Sequence, residues 1–185
     1  MASNKLLALQ EIPRDAYTVI DIGFGAGETV QELALQHPDW NVIGIEVYRP
    51  GILNLFKKLK ETPVANLQVI QQDATQVLNQ LKFKQAIDGV ACYFPDPWPK
   101  TRHHKRRLIQ PTFIQLIEKI LKPNGFIKII TDWEDYKNHI LEAFSHFPNF
   151  QISTDDPLPM NLDTKFKKRA EKSGNAIDQL VFRFD

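Results

Sequence analysis

Residues 17–28 read Y-T-V-I-D-I-G-F-G-A-G-E, and this stretch decides the fold. Residues 17–22 are apolar, rich in β-branched side chains and end before Gly23, which predicts a buried strand. Residues 28–36 then place apolar side chains at helical spacing. A buried strand that turns through glycines into a helix is the unit from which α/β sheets are built.

The same alternation of strand and helix continues along the chain. Further strands are predicted at residues 41–45, 67–70, 87–94, 126–131, 150–153 and 177–184, and helices at residues 3–11, from Pro50, after Asp73, at 113–121 and at 133–147. Alternation favours a mostly parallel sheet with helices on both faces. The last two strands lack a helix-length apolar segment between them, which predicts an antiparallel pair at one edge. We therefore expect an α/β fold with seven strands, in a single domain over residues 1–185.

The composition is that of an ordinary soluble globular protein, with 43% hydrophobic and 24% charged residues. No apolar run approaches the roughly 20 residues of a membrane span, and the amino terminus lacks the features of a signal peptide. The one cysteine, Cys92, excludes an internal disulfide and a Cys-rich metal site. The expected location is a reducing cytoplasm, with no membrane and no metal as partner.

Charge is unevenly distributed, although the net value is only +1. Residues 1–99 hold 8 Lys and Arg against 11 Asp and Glu, whereas residues 100–185 hold 15 against 11. Basic residues concentrate at 100–107 and again at Lys165, Lys167, Lys168, Arg169 and Lys172. Two such patches predict binding of a polyanion, because phosphate contacts act locally. Solvated surface faces are the alternative.

Residues 94–107 read F-P-D-P-W-P-K-T-R-H-H-K-R-R and follow the fourth predicted strand. Three prolines at alternate positions restrict φ and disfavour a helix, so Asp96 is held in a stiff loop between aromatic residues. The basic residues that follow include Lys100, Arg102, Arg106 and Arg107. This combination indicates a base-binding site beside a phosphate-binding surface, with an ordinary solvated loop as the alternative.

Acidic residues fall at or just beyond the predicted strand ends. They are Asp21, Glu46, Asp73, Asp96 and Asp132. In an open α/β sheet, ligands bind outside the carboxyl ends of the strands. Each carboxylate could alone cap a helix or a turn, as Asp73 would before A-T-Q, but five at one edge predict a ligand site.

The glycine loop narrows the choice of ligand. Its spacing is G-x-G-x-G, with Glu28 at the place of the third glycine of a dinucleotide site, and it lacks the G-K-[ST] of a P-loop. Asp21 and Glu28 would repel a pyrophosphate at the helix start. This disfavours a nicotinamide-dependent dehydrogenase and favours S-adenosylmethionine (SAM), which has an amino group and ribose hydroxyls but no phosphate. Asp21, Gly23 and Gly25 would lie near its amino-acid end, Glu46 at the ribose, and Asp73 with Ala74 at the adenine.

Five blocks of the sequence carry a family resemblance. They are D-I-G-F-G-A-G-E-T at 21–29, I-G-I-E-V-Y-R-P-G at 43–51, Q-Q-D-A at 71–74, the stretch 94–113 that contains F-P-D-P-W and R-H-H-K-R-R, and T-D-W-E-D-Y at 131–136. Together they resemble the bacterial tRNA (guanine-N7-)-methyltransferases, from about residue 17 to the carboxyl terminus. The resemblance implies a class I methyltransferase fold (a Rossmann-like seven-stranded sheet), SAM as methyl donor with S-adenosylhomocysteine as product, and a guanine in the tRNA variable loop as acceptor.

The resemblance also implies roles for individual residues. Asp21, Glu46, Asp73 and Asp96 would line the SAM site, while Lys100, Asp132 and residues 164–167, which begin with Thr164 and end with Lys167, would meet the tRNA. The chain departs from the family pattern where Lys167 replaces a glutamate, where Asn175 and Pro99 each replace a histidine, and where the amino-terminal arm is nearly absent. A monomer or a homodimer is expected.

Methylation of guanine N7 requires no general base from the protein, because N7 carries a lone pair and no proton. The methylated ring becomes cationic, and we hypothesise that Asp96 is the catalytic carboxylate that stabilises this charge or orients the donor. Phe94 or Trp98 would stack on the base, although Trp98 could instead anchor the loop. The basic segment would follow the tRNA backbone, so replacing Arg106 and Arg107 should reduce the salt slope of binding by about two.

Two alternatives remain open at this point. P-D-P-W superficially resembles the D-P-P-[YFW] motif of methyltransferases that act on exocyclic amines, although the order of residues differs. A family member with Lys167 in place of a glutamate could also bind SAM and RNA without catalysing transfer.

Overall fold

The computed structural model describes residues 16–80, 84–158 and 176–185. Its strands are β1 (Thr18–Ile22), β2 (Asn41–Glu46), β3 (Leu67–Gln71), β4 (Ile87–Tyr93), β5 (Leu121–Thr131), β6 (Phe150–Ser153) and β7 (Asp178–Phe184). Its helices are α1 (Glu28–Gln36), α2 (Arg49–Glu61), α3 (Ala74–Gln80), α4 (Pro111–Ile120) and α5 (Glu134–Ser145), and a 3₁₀ helix covers Thr101–Arg106. The predicted helix at residues 3–11 lies outside the described residues.

The described strands form one sheet in the order β3-β2-β1-β4-β5-β7-β6. Neighbouring strands from β3 to β5 are parallel, whereas β7 runs antiparallel to both β5 and β6. The predicted mostly parallel sheet with an antiparallel pair at one edge is therefore confirmed. The strand order reverses between β1 and β4, which opens a crevice at the carboxyl ends of these two strands.

Apolar side chains cover both faces of the sheet, which is why its central strands read as continuous hydrophobic runs. Val42 and Ile43 are adjacent in β2 but belong to two separate clusters. Val42 packs with Val30 of α1 and Leu55 of α2, while Ile43 belongs to the cluster that contains Phe113 of α4. The covered sheet is a rigid support, and it determines where each loop leaves the carboxyl edge.

The predicted boundary between the helix at 113–121 and the strand at 126–131 is wrong. The sequence predicts a helix to residue 121 and a strand from residue 126, and P-N-G at residues 123–125 is a helix-stop and turn signal. In the structure α4 ends at Ile120 and β5 begins at Leu121. The register of β5 against β4 shifts between Ile87 and Gly89, so the P-N-G turn lies in a bulge of the strand. Leu121 is fully buried, and its burial beside β4 outweighs the local turn signal.

Candidate active site

The predicted acidic residues lie along the carboxyl edge of the parallel strands. Asp21 is the second-last residue of β1, and Glu46 is the last residue of β2. Asp73 follows β3, Asp96 follows β4 and Asp132 follows β5. Parallel strands end at the same edge, so the topology brings all five carboxylates to one side of the sheet. Asp21 and Asp96 flank the crevice where the strand order reverses.

The glycine loop between β1 and α1 depends on backbone conformations that favour glycine. Gly23, Gly25 and Gly27 have φ values of 74°, 57° and 84°, all in the left-handed region that other residues seldom adopt. The N–H of Gly23 donates to the carbonyl of Ile45 at 2.8 Å. This bond ties the loop to the end of the neighbouring strand β2.

Glu46 organises this loop from the end of β2. Its buried carboxylate accepts hydrogen bonds from the N–H groups of Gly25 at 2.7 Å, Val47 at 2.7 Å and Tyr48 at 2.8 Å. A carboxylate has about four acceptor positions, so the geometry leaves room for one further donor. Glu46 can therefore shape the loop and still accept a ligand hydroxyl.

Asp21 is a buried carboxylate in β1. It is 2% exposed, and its Oδ2 accepts a hydrogen bond from the hydroxyl of Thr29 at 2.8 Å. Among the described residues, no group donates to Oδ1, which is also buried. Burial raises the pKa of Asp21 to about 7, against the lowering effect of the Thr29 bond and with a further rise from the charge of Glu46. A positively charged donor, such as the amino group of SAM, fits this oxygen.

Gly51 is a loop-supporting residue whose role the sequence does not predict. A Cβ added to Gly51 at the start of α2 would lie 2.0 Å from the carbonyl oxygen of Gly25. Similarly, a Cβ on Gly27 would lie 2.7 Å from the Cβ of Leu55. Glycines on both sides thus allow α2 to pack directly against the loop. The signal in the sequence is the P-G pair in Y-R-P-G, which by itself indicates only a helix start.

Asp73 caps α3. It is exposed, and its Oδ1 accepts hydrogen bonds from the N–H of Gln76 at 3.0 Å and from the hydroxyl of Thr75. Ala74 is buried as the first residue of the helix. The capping role that the sequence leaves open for Asp73 is therefore present, and a contact of Asp73 or Ala74 with adenine stays a prediction.

Asp96 lies exposed in a tight loop after β4. Its Oδ1 accepts a hydrogen bond from the N–H of Trp98 at 2.9 Å. Phe94 and Trp98 have φ values of 51° and 44°, which is strained for bulky residues and costs about 1–3 kcal/mol each. Such strain concentrates at functional sites, and here it presents a carboxylate between two aromatic residues.

Trp98 packs against the 3₁₀ helix. The Cζ atom of Arg106 lies 4.9 Å from the centre of the Trp98 ring, and the His103 ring meets it edge-on at 5.7 Å between ring centres. Cation–π and edge-to-face contacts of this kind stabilise a fixed arrangement. The geometry favours Trp98 as an anchor of the loop, and its stacking on a substrate base stays a prediction.

The cationic segment divides into exposed and buried residues. Lys100, Arg102 and Arg106 are exposed, as a phosphate-binding surface requires. Arg107 differs from this expectation, because it is 3% exposed and pairs with Asp135 and with the carbonyl of Pro97. The prediction that Arg107 lies on the exposed cationic surface is therefore wrong. Its guanidinium binds the carboxylate of Asp135, which lies 28 residues away in the sequence. No local sequence pattern indicates this partner.

The end of β5 borders an open groove of about 620 Å³. Asp132 and Trp133 line it, together with Glu134, Asp135, Lys137, Ala176 and Asp178. The groove is predominantly acidic and lies where the end of β5 meets the start of β7. Thr164, Lys167 and the second basic patch lie outside the described residues, so their predicted tRNA contacts stay predictions.

The lone cysteine lies in the core of the sheet. Cys92 is buried in β4, and burial raises the pKa of its thiol, so the thiol is not a nucleophile at neutral pH. Within residues 16–80, 84–158 and 176–185, no cluster of three His, Cys, Asp or Glu could hold a metal ion. No helix in these ranges is long and apolar enough to cross a membrane.

Similar sequences are found among methyltransferases. Residues 15–180 match a protein family described as "Putative methyltransferase". The tRNA (guanine-N(7)-)-methyltransferase of Nitrosomonas europaea is 44% identical over 173 residues, which cover 91% of this chain and 77% of that protein. The protein of the same name from Nitrosospira multiformis is 42% identical over 185 residues, covering 98% of this chain and 81% of that one. That from Bordetella parapertussis is 40% identical over 173 residues, covering 92% and 68%.

Solved structures share the fold at low sequence identity. The 16S rRNA methyltransferase KamB matches with a TM-score of 0.66 at 14% identity, covering 93% of this chain and 90% of that chain. The aminoglycoside resistance methyltransferase NpmB1 matches with a TM-score of 0.62 at 18% identity and the same coverage. SMU.1697c from Streptococcus mutans, solved with SAH, matches with a TM-score of 0.58 at 17% identity, covering 91% and 89%. These structures confirm the class I SAM-dependent methyltransferase fold.

Proposed function

Because the chain belongs to the tRNA (guanine-N(7)-)-methyltransferase family, we propose that it transfers a methyl group from SAM to N7 of a guanine in the variable loop of tRNA. The donor half of this proposal is carried by one observation, the buried Asp21 oxygen that receives no hydrogen bond from the described residues, at the point where the strand order reverses. The acceptor half is supported by relatives of that name that match at least nine-tenths of this chain.

The donor site is proposed to use backbone and carboxylate groups together. Asp21 would accept a hydrogen bond from the amino group of SAM, and Glu46 would use its remaining acceptor position for a ribose hydroxyl. The backbone of Gly23 and Gly25 would approach the amino-acid end closely, since neither residue carries a Cβ. Asp73 would meet the adenine amine with its second oxygen, while Oδ1 continues to cap α3.

Bound SAM supplies an electrophilic methyl group, and the protein supplies alignment and charge. Guanine N7 attacks with its own lone pair and has no proton to lose, so no residue needs to act as a general base. Holding the two reactants in line can provide about 7–11 kcal/mol of the barrier reduction. This is consistent with a site that contains carboxylates and backbone groups near the proposed reaction.

Asp96 is proposed as the catalytic carboxylate. Methylation at N7 leaves a positive charge on the guanine ring, and a fixed carboxylate nearby stabilises that charge as it develops. The bond from the Trp98 N–H holds Oδ1 in place and leaves the other oxygen available to the N–H groups of the base. Asp132, at the end of the adjacent strand, is proposed to contact the same substrate.

The tRNA backbone is proposed to bind along the exposed cations. Lys100, Arg102 and Arg106 lie on or beside the 3₁₀ helix that follows the Asp96 loop. Phosphate contacts position a nucleic acid without reading its sequence, so this surface would orient the tRNA while the base enters the crevice. Thr164 and Lys167 remain predicted contacts, and a cytoplasmic location is proposed because tRNA is the substrate.

The decisive experiment supplies donor and acceptor together. Purified protein is incubated with tritiated SAM and an unmodified tRNA transcript, and the digested nucleosides are separated. We expect label in N7-methylguanosine and none when the variable-loop guanosine is replaced by adenosine. Label in a methylated adenosine would favour an exocyclic-amine methyltransferase. Binding of SAM and tRNA by calorimetry without transfer would favour a binding protein that lacks catalysis.

A further inference from the structure

Arg107 differs from the basic residues before it, because its guanidinium is buried. It is 3% exposed, whereas Arg102 and Arg106 are exposed. Burying a guanidinium is costly unless its charge and its N–H groups find partners. Those partners therefore indicate what the residue does.

The guanidinium of Arg107 joins two elements that leave neighbouring strands. Its Nε donates to the carbonyl of Pro97 at 2.9 Å, and its Nη2 pairs with Oδ2 of Asp135. Its Cζ also lies 4.9 Å from the ring centre of Tyr136. Pro97 directly follows Asp96 in the loop after β4, while Asp135 and Tyr136 belong to the first turn of α5, after β5.

The backbone after Arg107 is held to α5 independently of this ion pair. The N–H of Ile109 donates to the hydroxyl of Tyr136 at 3.2 Å, and the carbonyl of Ile109 lies 2.8 Å from Nε2 of His139. If the ion pair were lost, the guanidinium of Arg107 would be free to release the carbonyl of Pro97. The two bonds of Ile109 would still hold the backbone after Arg107 against α5.

The loop that carries Asp96 is tied at its base and at its far side. At the base, the N–H of Phe94 donates to the carbonyl of Ile130 at 2.7 Å. At the far side, Arg107 holds the carbonyl of Pro97. Asp96 itself is exposed, so its own packing contributes little, and its position depends on these two ties together with the packing of Trp98 against Arg106 and His103.

We propose that Arg107 and Asp135 are positioning residues that set the Asp96 carboxylate relative to the substrate-binding end of β5. This inference rests on the proposed function. A planar guanidinium presents several donors at fixed angles, so one arginine can hold a carbonyl and a carboxylate together. A displacement of about 1 Å in such a site can cost about 100-fold in rate. Disrupting the bridge should therefore slow methyl transfer more than it weakens binding.

The test compares variants that break the bridge in different ways. Asp135→Asn keeps the shape of the side chain and removes its charge, Arg107→Lys keeps the charge and loses the planar fork, and Arg107→Met loses both. At saturating SAM and tRNA, we expect single-turnover rates about 10-fold lower for Asp135→Asn and Arg107→Lys and about 100-fold lower for Arg107→Met. The dissociation constant of SAM should not change, and Asp135→Glu should recover most of the rate. The double variant Arg107→Met/Asp135→Asn should be no slower than Arg107→Met, because both changes break the same bridge.

A matched control is available at the other end of β5. Arg183 pairs with Asp155, whose side chain is 72% exposed, compared with 60% for Asp135. Arg183 lies opposite Phe126, near the amino ends of the parallel strands. Asp155→Asn makes the same substitution in an Arg–Asp pair away from the site, where the Arg183 side chain is 29% exposed against 1% for Arg107, and we expect it to transfer methyl groups at the wild-type rate.

A second readout does not depend on activity. Hydrogen exchange of the Trp98 amide, which bonds to Asp96, should be faster in Asp135→Asn than in wild type or in Asp155→Asn. Wild-type exchange and wild-type rate in Asp135→Asn would overturn the inference, even if Arg107→Met were slow, because Arg107 would then only fill space. A wild-type protein that makes no product would count against the proposed function, while the exchange of Trp98 would still decide whether the bridge positions the loop.

Discussion

The two halves of the carboxyl edge are built in different ways. In the half formed by β1 and β2, Asp21 and Glu46 are buried, and three backbone N–H groups bind the carboxylate of Glu46. In the half formed by β4 and β5, Asp96 is exposed and accepts one backbone bond. That loop is tied at its base by a backbone bond from Phe94 to Ile130 and at its far side by the side chain of Arg107, which pairs with Asp135 of α5.

This difference matches the two substrates that we propose. A small donor such as SAM can be enclosed, so backbone groups and buried carboxylates can be aligned in advance. A tRNA must approach and leave, which requires an exposed carboxylate and exposed cations on a loop. We infer that changes in the first half affect donor binding, whereas changes in the second affect transfer and tRNA binding.

The largest expected effect tests the second half. Asp96→Asn keeps the size of the side chain and its bond to the Trp98 N–H but removes the negative charge. We expect the single-turnover rate to fall by about 100-fold, because charge that develops on guanine is no longer stabilised. The dissociation constant of SAM, measured by calorimetry, should change much less than the rate, although Asp96 is also predicted to line the SAM site. Full turnover by this variant would refute the catalytic role of Asp96.

A smaller effect tests the first half through pH. The pKa of Asp21 is raised to about 7 by burial, so below pH 7 the unliganded protein holds this carboxyl protonated. Binding of the SAM amino group requires the carboxylate, so wild-type affinity should weaken as pH falls, by about 10-fold per unit below pH 7. Asp21→Asn should bind SAM about 10-fold more weakly at pH 8 and lack this dependence.

Thr29→Val provides a second test of the pH dependence of SAM binding. The Thr29 hydroxyl lowers the pKa of Asp21, so its removal should move the pH dependence of SAM binding to higher pH. Identical pH profiles for wild type and Asp21→Asn would contradict a contact between Asp21 and the amino group, and would remove the main distinction between the two halves.

The smallest expected effect separates exposed from buried cations. Arg106→Ala should reduce the slope of log binding constant against log salt by about one, because one phosphate contact is lost. Lys119→Ala, an exposed lysine of α4, is the control and should leave the slope unchanged. The sequence predicts a change of about two when Arg106 and Arg107 are both replaced, but the burial of Arg107 reduces this expectation to about one. If the slope of log binding constant against log salt changed by about two in the double variant, Arg107 would contact a phosphate in the complex.

The sequence predicts the fold well because its signals are local. Buried parallel strands appear as apolar runs, and glycines and prolines mark many of their ends. The acidic residues at strand ends could also be predicted to share one edge, since parallel strands end together. Local signals failed at Leu121, where burial beside β4 extends the strand through a P-N-G turn.

Partnerships over long sequence separations could not be predicted. Lys128 lies in F-I-K-I-I and could be expected to reach solvent, yet it is fully buried and pairs with Asp156 at 2.7 Å. Arg107 ends a basic run but turns inward to Asp135. The sequence shows that each charged side chain needs either a partner or solvent. It does not show whether a given side chain is buried against a partner or exposed to solvent.

The sequence alone thus determined the alternation of strands and helices, the glycine turn and the set of residues able to hold a donor and an RNA, since these depend on side-chain type and spacing. The tertiary structure decided which of these groups are enclosed and which exposed. Within the part of the chain that the structure describes, burial leaves one oxygen of Asp21 without a donor and places Arg107 against Pro97 and Asp135. The physical reason is that the cost of burying a charge depends on groups brought together from distant parts of the chain.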